Sequence, residues 1–261
     1  MIIYQNIDPI IFRLGPISIG WYGLCYVIGL ISSLWYFQRE LLKHKLLDEK
    51  EIESLLLFLF LGIFIGARIG YCLIYAPKYY FQHPLEIFAV WQGGLSFHGG
   101  FLGVLVVIFL VVKKWHTSFL GLADVAARST PIGLTFGRIG NFLNSELYGR
   151  PTNGDWGIVF LREDRIPRHP SQLYESFLEG IVLFLILWLI DRRHPAKGVI
   201  VSFFILFYGI FRFLIEFFRT PDIQLGYVLG PLTMGQCLSI PMIIIGAILC
   251  IYFERLDLDN K

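Results

Sequence analysis

Gly137-Arg138-Ile139-Gly140-Asn141-Phe142-Leu143-Asn144-Ser145-Glu146-Leu147-Tyr148-Gly149-Arg150 closes an apolar stretch that begins near Phe119. It sets an arginine, two asparagines and a glutamate where lipid-facing side chains are expected. An arginine near the centre of a membrane helix costs about 2.5–3.5 kcal/mol even on the lenient insertion scale, so Arg138 must face protein, water or a ligand. Gly137 and Gly140 remove bulk on either side of it and let a second backbone or a head group come close. A helix end snorkelling one arginine to the interface is the plainer alternative. Four polar groups packed among glycines exceed what snorkelling requires, so the stretch reads as a site.

The surrounding chain fixes the class. Of 261 residues, 56% are hydrophobic and 16% charged, and the mean hydropathy is +0.64. A soluble chain carries about 25% charged residues. The apolar residues fall into seven runs, at 17–37, 54–74, 95–112, 119–143, 174–190, 199–218 and 232–253, each near the ~20 residues that a bilayer requires. The expected fold is an all-α polytopic membrane protein: one integral domain over 1–261 with about seven transmembrane helices. Residues 144–173, broken by Pro151, Gly154, Asp155, Pro167 and Pro170, are expected to form a small outer cap, too short to fold alone.

Several classes are excluded. A net charge of +2 without a basic stripe gives no footing for nucleic acid. Cys25, Cys72, Cys237 and Cys250 lie in apolar runs without CxxC spacing, which reads as buried thiols rather than zinc ligands or disulfides. No cofactor or metal is expected. Residues 1–15 lack a basic n-region, so a cleaved signal peptide is not expected. No internal repeat is visible, which weighs against a transporter of the inverted-repeat type.

Lysine and arginine set the orientation. With the N-terminus outside, the inner segments 38–53, 113–118, 191–198 and 254–261 hold 11 Lys/Arg in 38 residues, against 7 in the 79 residues of 1–16, 75–94, 144–173 and 219–231. The density differs about threefold, which favours N-out and C-in. In that topology Tyr22, Tyr71, Tyr75, His98, the run from Arg138 to Glu146 and the run from Arg212 to Arg219 all fall at the outer ends of their spans. Asp124 and Arg128 sit at an inner end and are spaced for an i,i+4 structural ion pair.

Three further features bear on chemistry. Gln92-Gly93-Gly94-Leu95-Ser96-Phe97-His98-Gly99-Gly100 brackets a histidine with glycine pairs, which suit a tight re-entrant turn lining a cavity. His98 there is a candidate general base, or an interfacial histidine bonded to a carbonyl. Ser96 and His98 stand too close in sequence for a hydrolase dyad, and no G-x-S-x-G exists. In the sixth span Tyr208, Arg212, Glu216 and Arg219 fall at about 0°, 40°, 80° and 20° around a helix, one polar stripe with Arg212 and Glu216 spaced to pair. Finally, Arg68 in Gly66-Ala67-Arg68-Ile69-Gly70 repeats the small-Arg-small pattern. With only Glu216, Glu146 and Asp124 counted against Arg68, Arg128, Arg138 and Arg212, a surplus of positive charge suited to an anionic lipid is expected.

The run from Gly137 to Gly149 resembles, position for position, the signature of bacterial prolipoprotein diacylglyceryl transferases. The resemblance extends through Trp21-Tyr22-Gly23, Gly66-Ala67-Arg68, His98-Gly99-Gly100, His169-Pro170-Ser171-Gln172-Leu173-Tyr174-Glu175, and Tyr208 through Arg219. It implies an inner-membrane enzyme, its site toward the outer leaflet, that moves the diacylglyceryl group of phosphatidylglycerol onto the lipobox cysteine of a preprolipoprotein and releases glycerol phosphate. It further implies His98, Arg138 and Arg212 as catalytic residues. Tyr22, Arg68, Tyr71, Tyr75, Asn141, Asn144, Glu146, Gly149, Tyr208, Glu216 and Arg219 would bind substrate, Glu146 through the glycerol hydroxyls. Either His98 or the guanidinium groups activate the thiol. A lipid flippase and a non-catalytic anionic-lipid-binding protein are the other classes that a polar cavity in a membrane admits.

The orientation is testable directly. Cysteines introduced at Asn153 and Lys197 should label from opposite sides of the membrane; labelling of both from one side refutes the N-out topology and the convergence on one leaflet together.

Overall fold

The computed structural model describes residues 3–15, 17–89, 91, 93–221 and 226–259. Gln92 of the His98 motif and residues 222–225 of the expected outer segment lie outside them. The chain is mostly helical, and a helix coincides with each of the seven apolar runs: α1 (Trp21–Lys43), α2 (Glu49–Ile74), α4 (Phe97–Trp115), α5 (Phe119–Leu143), the run Ser171–Asp191, α8 (Val199–Ile215) and α9 (Met234–Asp259). A short α3 (Pro77–Gln82) and a 3-10 turn (Pro84–Phe88) follow α2. Among the described residues, the helices Glu49–Ile74, His98–Trp115, Ser171–Asp191 and Met234–Leu256 are long and apolar enough to cross a membrane. The protein is therefore a multi-pass helical membrane protein. The expectation of a single domain meets a chain that groups into two compact units, Gln38–Leu122 and Met1–Phe37 with Ala123–Lys261.

In the unit Gln38–Leu122, α2 starts on a capping box: Asp48 accepts from the Glu51 N–H at 2.8 Å and Glu51 accepts from the Asp48 N–H at 3.0 Å, satisfying two otherwise orphaned donors. Glycines then let α2 and α4 meet backbone to backbone. A Cβ on Gly70 would lie 2.6 Å from the Gly99 Cα, and one on Gly66 3.0 Å from the Gly103 Cα. Small residues are the means by which membrane helices gain close packing where lipid supplies no hydrophobic drive.

In the other unit α8 packs along α9. Ala127, Leu183, Leu187 and Ile200 form a buried apolar cluster under Phe204, Phe207 and Tyr208. Gly29 of α1 meets Gly133 and Phe136 of α5. The expectation of an i,i+4 pair between Asp124 and Arg128 is corrected. Asp124 accepts the N–H groups of Gly198 (2.7 Å) and Val201 (2.8 Å), capping α8 where donors are exposed, and the buried Arg128 pairs with Asp191.

The expected cap is not helical, which departs from the all-α reading. Strand β1 (Ile3–Gln5) runs parallel to β4 (Ile158–Phe160), and β4 pairs antiparallel with β5 (Pro167–Arg168). The buried Gln5 amide donates to the carbonyls of Phe142 and Leu143 at 3.1 and 3.2 Å and accepts from the Ser145 hydroxyl at 2.7 Å. It thereby satisfies helix-end carbonyls of α5 that have no partner within the helix. Two hairpins, β2 (Ile10–Leu14) with β3 (Ile17–Gly20) and β6 (Tyr227–Leu229) with β7 (Leu232–Thr233), complete the strands.

Candidate active site

The run Ser171–Asp191 is α6 (Ser171–Glu175), one π-helical stretch (Ser176–Val182) and α7 (Leu183–Asp191). Glu175 and Glu179 fall at and inside the π stretch and are fully buried. A π turn widens the helix locally and occurs often at functional sites. Its neighbour α5 comes close because residue 180 is glycine: a Cβ there would lie 3.0 Å from the Thr135 Cα. The Ser176 hydroxyl donates to the Thr135 carbonyl at 3.1 Å.

Glu175 gathers three arginines from two helices and the turn after α8. Its Oε2 lies 2.5 Å from Arg138 Nε, and its Oε1 lies 3.0 Å from Arg219 Nη1 and 3.5 Å from Arg212 Nη1. Arg212 Nη2 pairs with Glu216 Oε1 at 2.5 Å, and its Nη1 lies 3.9 Å from Glu179 Oε1. Glu216 also accepts from the Thr233 hydroxyl at 2.9 Å, just before α9 begins. Three arginines thus face three carboxylates. This overturns the expected surplus of positive charge, because the count behind it omitted Glu175 and Glu179. Both were visible in the sequence as an i,i+4 acidic pair in an apolar run, the very kind of intramembrane residue that marks a site. The pairing of Arg212 with Glu216 agrees with their spacing.

Counting donors separates the arginines. Each guanidinium has five N–H groups. Arg68 spends all five on carbonyls of one segment: Ile87 from Nε (2.8 Å), Gly93 and Gly94 from Nη1 (2.5 and 3.1 Å), Glu86 and Ala89 from Nη2 (2.7 and 3.2 Å). With all five donors on carbonyls, Arg68 braces the segment that leads to His98. Arg138 is the opposite case. Among the described residues its ion pair is with Glu175, nearest at Nε, and its two terminal nitrogens make no hydrogen bond, in a partly exposed position. Arg212 Nη1 is buried without a hydrogen bond.

The signature residues after Arg138 also hold one another. Asn141 and Asn144 donate to the two oxygens of Glu146 at 3.3 and 3.1 Å, and the buried Gln172 amide donates to the Glu146 carbonyl at 2.6 Å. Ser145 and Leu147 take positive φ (60° and 56°) around Glu146, a cost that side chains other than glycine accept only where the surroundings fix the backbone. Gly149 has a packing reason. A Cβ there would meet the carbonyl oxygens of Phe218 and His169 at 2.5 and 2.6 Å, so the close approach of these backbones needs a glycine here. Arg150 closes that end, donating from Nε to the Arg219 carbonyl at 2.8 Å, as suits a cation at a helix C-terminus.

Tyr208, Arg212, Glu216 and Arg219, the stripe read from the sequence, share one cavity of about 270 Å³ with Thr233, Ser239 and the apolar Leu238 and Met242. Tyr22, at the start of α1, packs on Gly140 and is 39% exposed. Tyr71, Tyr75 and His98 belong to the other unit. Tyr71 stacks on Tyr75 with ring centroids 5.5 Å apart, and Gly93 and Gly94 take positive φ (83° and 82°). Ser96 caps α4 by accepting the Gly99 N–H, which gives its hydroxyl a structural use. His98 stands in the first turn of α4, exposed.

A membrane protein that buries arginines on carboxylates and keeps guanidinium donors in reserve is equipped to hold an anionic group. The family described as prolipoprotein diacylglyceryl transferase matches residues 9–252. The chain is 47% identical over 253 residues (97% of each chain) to a phosphatidylglycerol–prolipoprotein diacylglyceryl transferase of Geobacter sulfurreducens. Its counterparts of that name in Rickettsia akari (47% over 250 residues, 94% of this chain and 96% of the relative) and Cupriavidus metallidurans (45% over 260 residues, 98% and 96%) are similar to it along nearly their whole length. The chain belongs to the prolipoprotein diacylglyceryl transferase family.

The cap carries a pH dependence. Burial holds His169 below the ordinary histidine range, and Trp156 Nε1–H donates to its Nδ1 at 3.4 Å, which requires the neutral ring. The unfolded chain then binds more protons than the folded one below about pH 6.5, so stability rises with pH through that window and is lost as the pH falls. The Trp156 fluorescence, taken as wild type minus Trp156→Phe, should change as the pH drops from about 7 to 5. In His169→Gln it should stay flat; the same change there would refute the assignment.

Proposed function

We propose that this chain transfers the diacylglyceryl group of phosphatidylglycerol to the lipobox cysteine of a preprolipoprotein. The observation that carries the reading is Arg138: fixed through Nε on a buried carboxylate, it keeps both terminal nitrogens for an anion, in a family whose relatives are named for phosphatidylglycerol. In the reaction the cysteine sulfur bonds to the glyceryl carbon as the bond from that carbon to the phosphate oxygen breaks. The electron pair leaves with glycerol phosphate, and the thiol proton passes to a base. Negative charge grows on the phosphate, and guanidinium donors held ready in a water-poor site stabilise it without reorganising. Arg138 and Arg212 take that role, and Glu146, steadied by Asn141 and Asn144, accepts from the glycerol hydroxyls. Tyr22, Tyr71, Tyr75 and Tyr208 offer hydroxyls at interface depth.

His98 takes the thiol proton. A cysteine thiol has a reference pKa near ~8.5 and is mostly protonated at neutral pH. The protein works in the bacterial inner membrane with seven spans, N-terminus out and C-terminus in, and residues 144–173 cover a site that opens to the outer leaflet. Leaving the flippase and the passive lipid binder behind requires chemistry, so the test is transfer itself. Radiolabelled phosphatidylglycerol with a lipobox peptide should yield a labelled thioether and free glycerol phosphate, and its absence with folded protein refutes the reading. Arg138→Lys, which replaces a planar fork by a point charge, should lower kcat/KM by about 10²-fold or more. Wild-type activity in that variant would remove Arg138 from the chemistry.

His98→Gln separates base from brace. It should lose about 10²–10⁴-fold in rate with lipid binding kept, and recover part of the loss as the pH rises toward ~8.5, where more thiolate is already present. Weakened lipid binding without alkaline recovery would instead assign thiol activation to the arginines.

A further inference from the structure

Glu179, four residues beyond Glu175 in the π stretch, has no role in the transfer chemistry. It is fully buried, and among the described residues neither carboxylate oxygen has a hydrogen-bond partner. Its nearest opposite charge is Arg212 Nη1 at 3.9 Å, a nitrogen that is itself buried without a hydrogen bond. Glu175 on its own helix, Arg138 on α5, Tyr208 and Arg212 on α8 and Arg219 beyond it are the charged or titratable groups around it. A carboxylate that makes no hydrogen bond braces nothing. Its tie to Arg212 is a long ion pair without a hydrogen bond, so its effect on the site is through charge.

We propose that Glu179 governs product release by balancing the charge of the arginine cluster, acting through Arg212 rather than by touching the lipid. The inference rests on the transfer reaction above. Phosphatidylglycerol is a phosphodiester with one negative charge. The released glycerol phosphate is a monoester carrying about −1.5 to −2 at pH 7. Any site that gains net positive charge therefore tightens on product more than on substrate. With Glu175, Glu179 and Glu216 set against Arg138, Arg212 and Arg219 the cluster is formally neutral, which leaves guanidinium donors to recognise the phosphate without trapping the more highly charged product. Glu175 differs in that its ion pairs at 2.5, 3.0 and 3.5 Å position three arginines, so its removal would disturb geometry as well as charge.

The test is inhibition of transfer by added glycerol phosphate, in detergent-solubilised full-length protein with phosphatidylglycerol micelles and a lipobox peptide. In Glu179→Gln, which keeps the shape and removes the charge, the inhibition constant for glycerol phosphate should fall about tenfold or more, the low end for a close buried charge. KM for phosphatidylglycerol and kcat should fall together, since release becomes slower. An unchanged inhibition constant, the result for a carboxyl that carries no charge, would overturn the proposal; so would a raised constant, as would a lowered kcat with KM unchanged. If Glu179→Gln does not fold, Glu179→Asp draws the charge back by one methylene and should lower the constant in the same direction by less; a constant at or above the wild-type value there overturns it. Wild-type protein that fails to transfer at all would instead fault the transferase reading, so the two failures are told apart.

Discussion

A buried guanidinium must be answered within the protein, and Glu175 answers three of them at once. Arg138, Arg219 and Arg212 lie 2.5, 3.0 and 3.5 Å from its two oxygens. Breaking a buried pair by removing one partner leaves an uncompensated charge and costs about 3–5 kcal/mol. The constraint therefore reaches beyond chemistry. It ties α5, the helix that carries Glu175 and the end of α8 to one point, and the π stretch follows directly on that residue.

Arg68 shows that a second solution was available. Five carbonyl oxygens satisfy its five donors, so the charge is buried with its hydrogen-bonding capacity exhausted. Such an arginine organises backbone and offers nothing to a ligand. The Glu175 arrangement instead engages one edge of Arg138 and leaves the terminal fork unspent, which is what recognition of a phosphate requires. The same residue type in the same small-Arg-small setting therefore serves opposite ends, and only the partners tell the two apart.

That contrast marks how far the sequence could be read. The helices were legible because hydropathy acts over ~20 residues and tolerates errors of a few positions; the stripe on α8 was legible because helical geometry places four residues on one face without help from elsewhere. The partners of Arg68 and Arg128 were not, since a carbonyl carries no sequence signal and Asp191 lies 63 positions from Arg128. Glu175 and Glu179 are legible as an i,i+4 acidic pair in an apolar run, but their arginine partners lie on other elements, where no sequence spacing announces the pairing. The cap's sheet had no signal at all. Its strands are two or three residues long, and β1 joins β4 across more than 150 positions, so neither periodicity nor a turn motif announces it.

Gly149, Gly180 and Gly235 each border the charged cluster, and in each a Cβ would strike something fixed: the Phe218 and His169 carbonyls, the Thr135 backbone, and the Glu216 carboxylate at 2.5 Å. None of the three has a positive φ, so conformational freedom is not what these positions use. They use room. Buried carboxylates must be met by donors from neighbouring elements, and those elements come near enough only where a side chain is missing. Gly235 lets the start of α9 close on Glu216, with Thr233 donating to it and the helix N-terminus favouring a negative charge there. A signature rich in glycine beside arginine is thus the sequence trace of charges packed against backbone, and a glycine can be indispensable to such a site without touching its substrate.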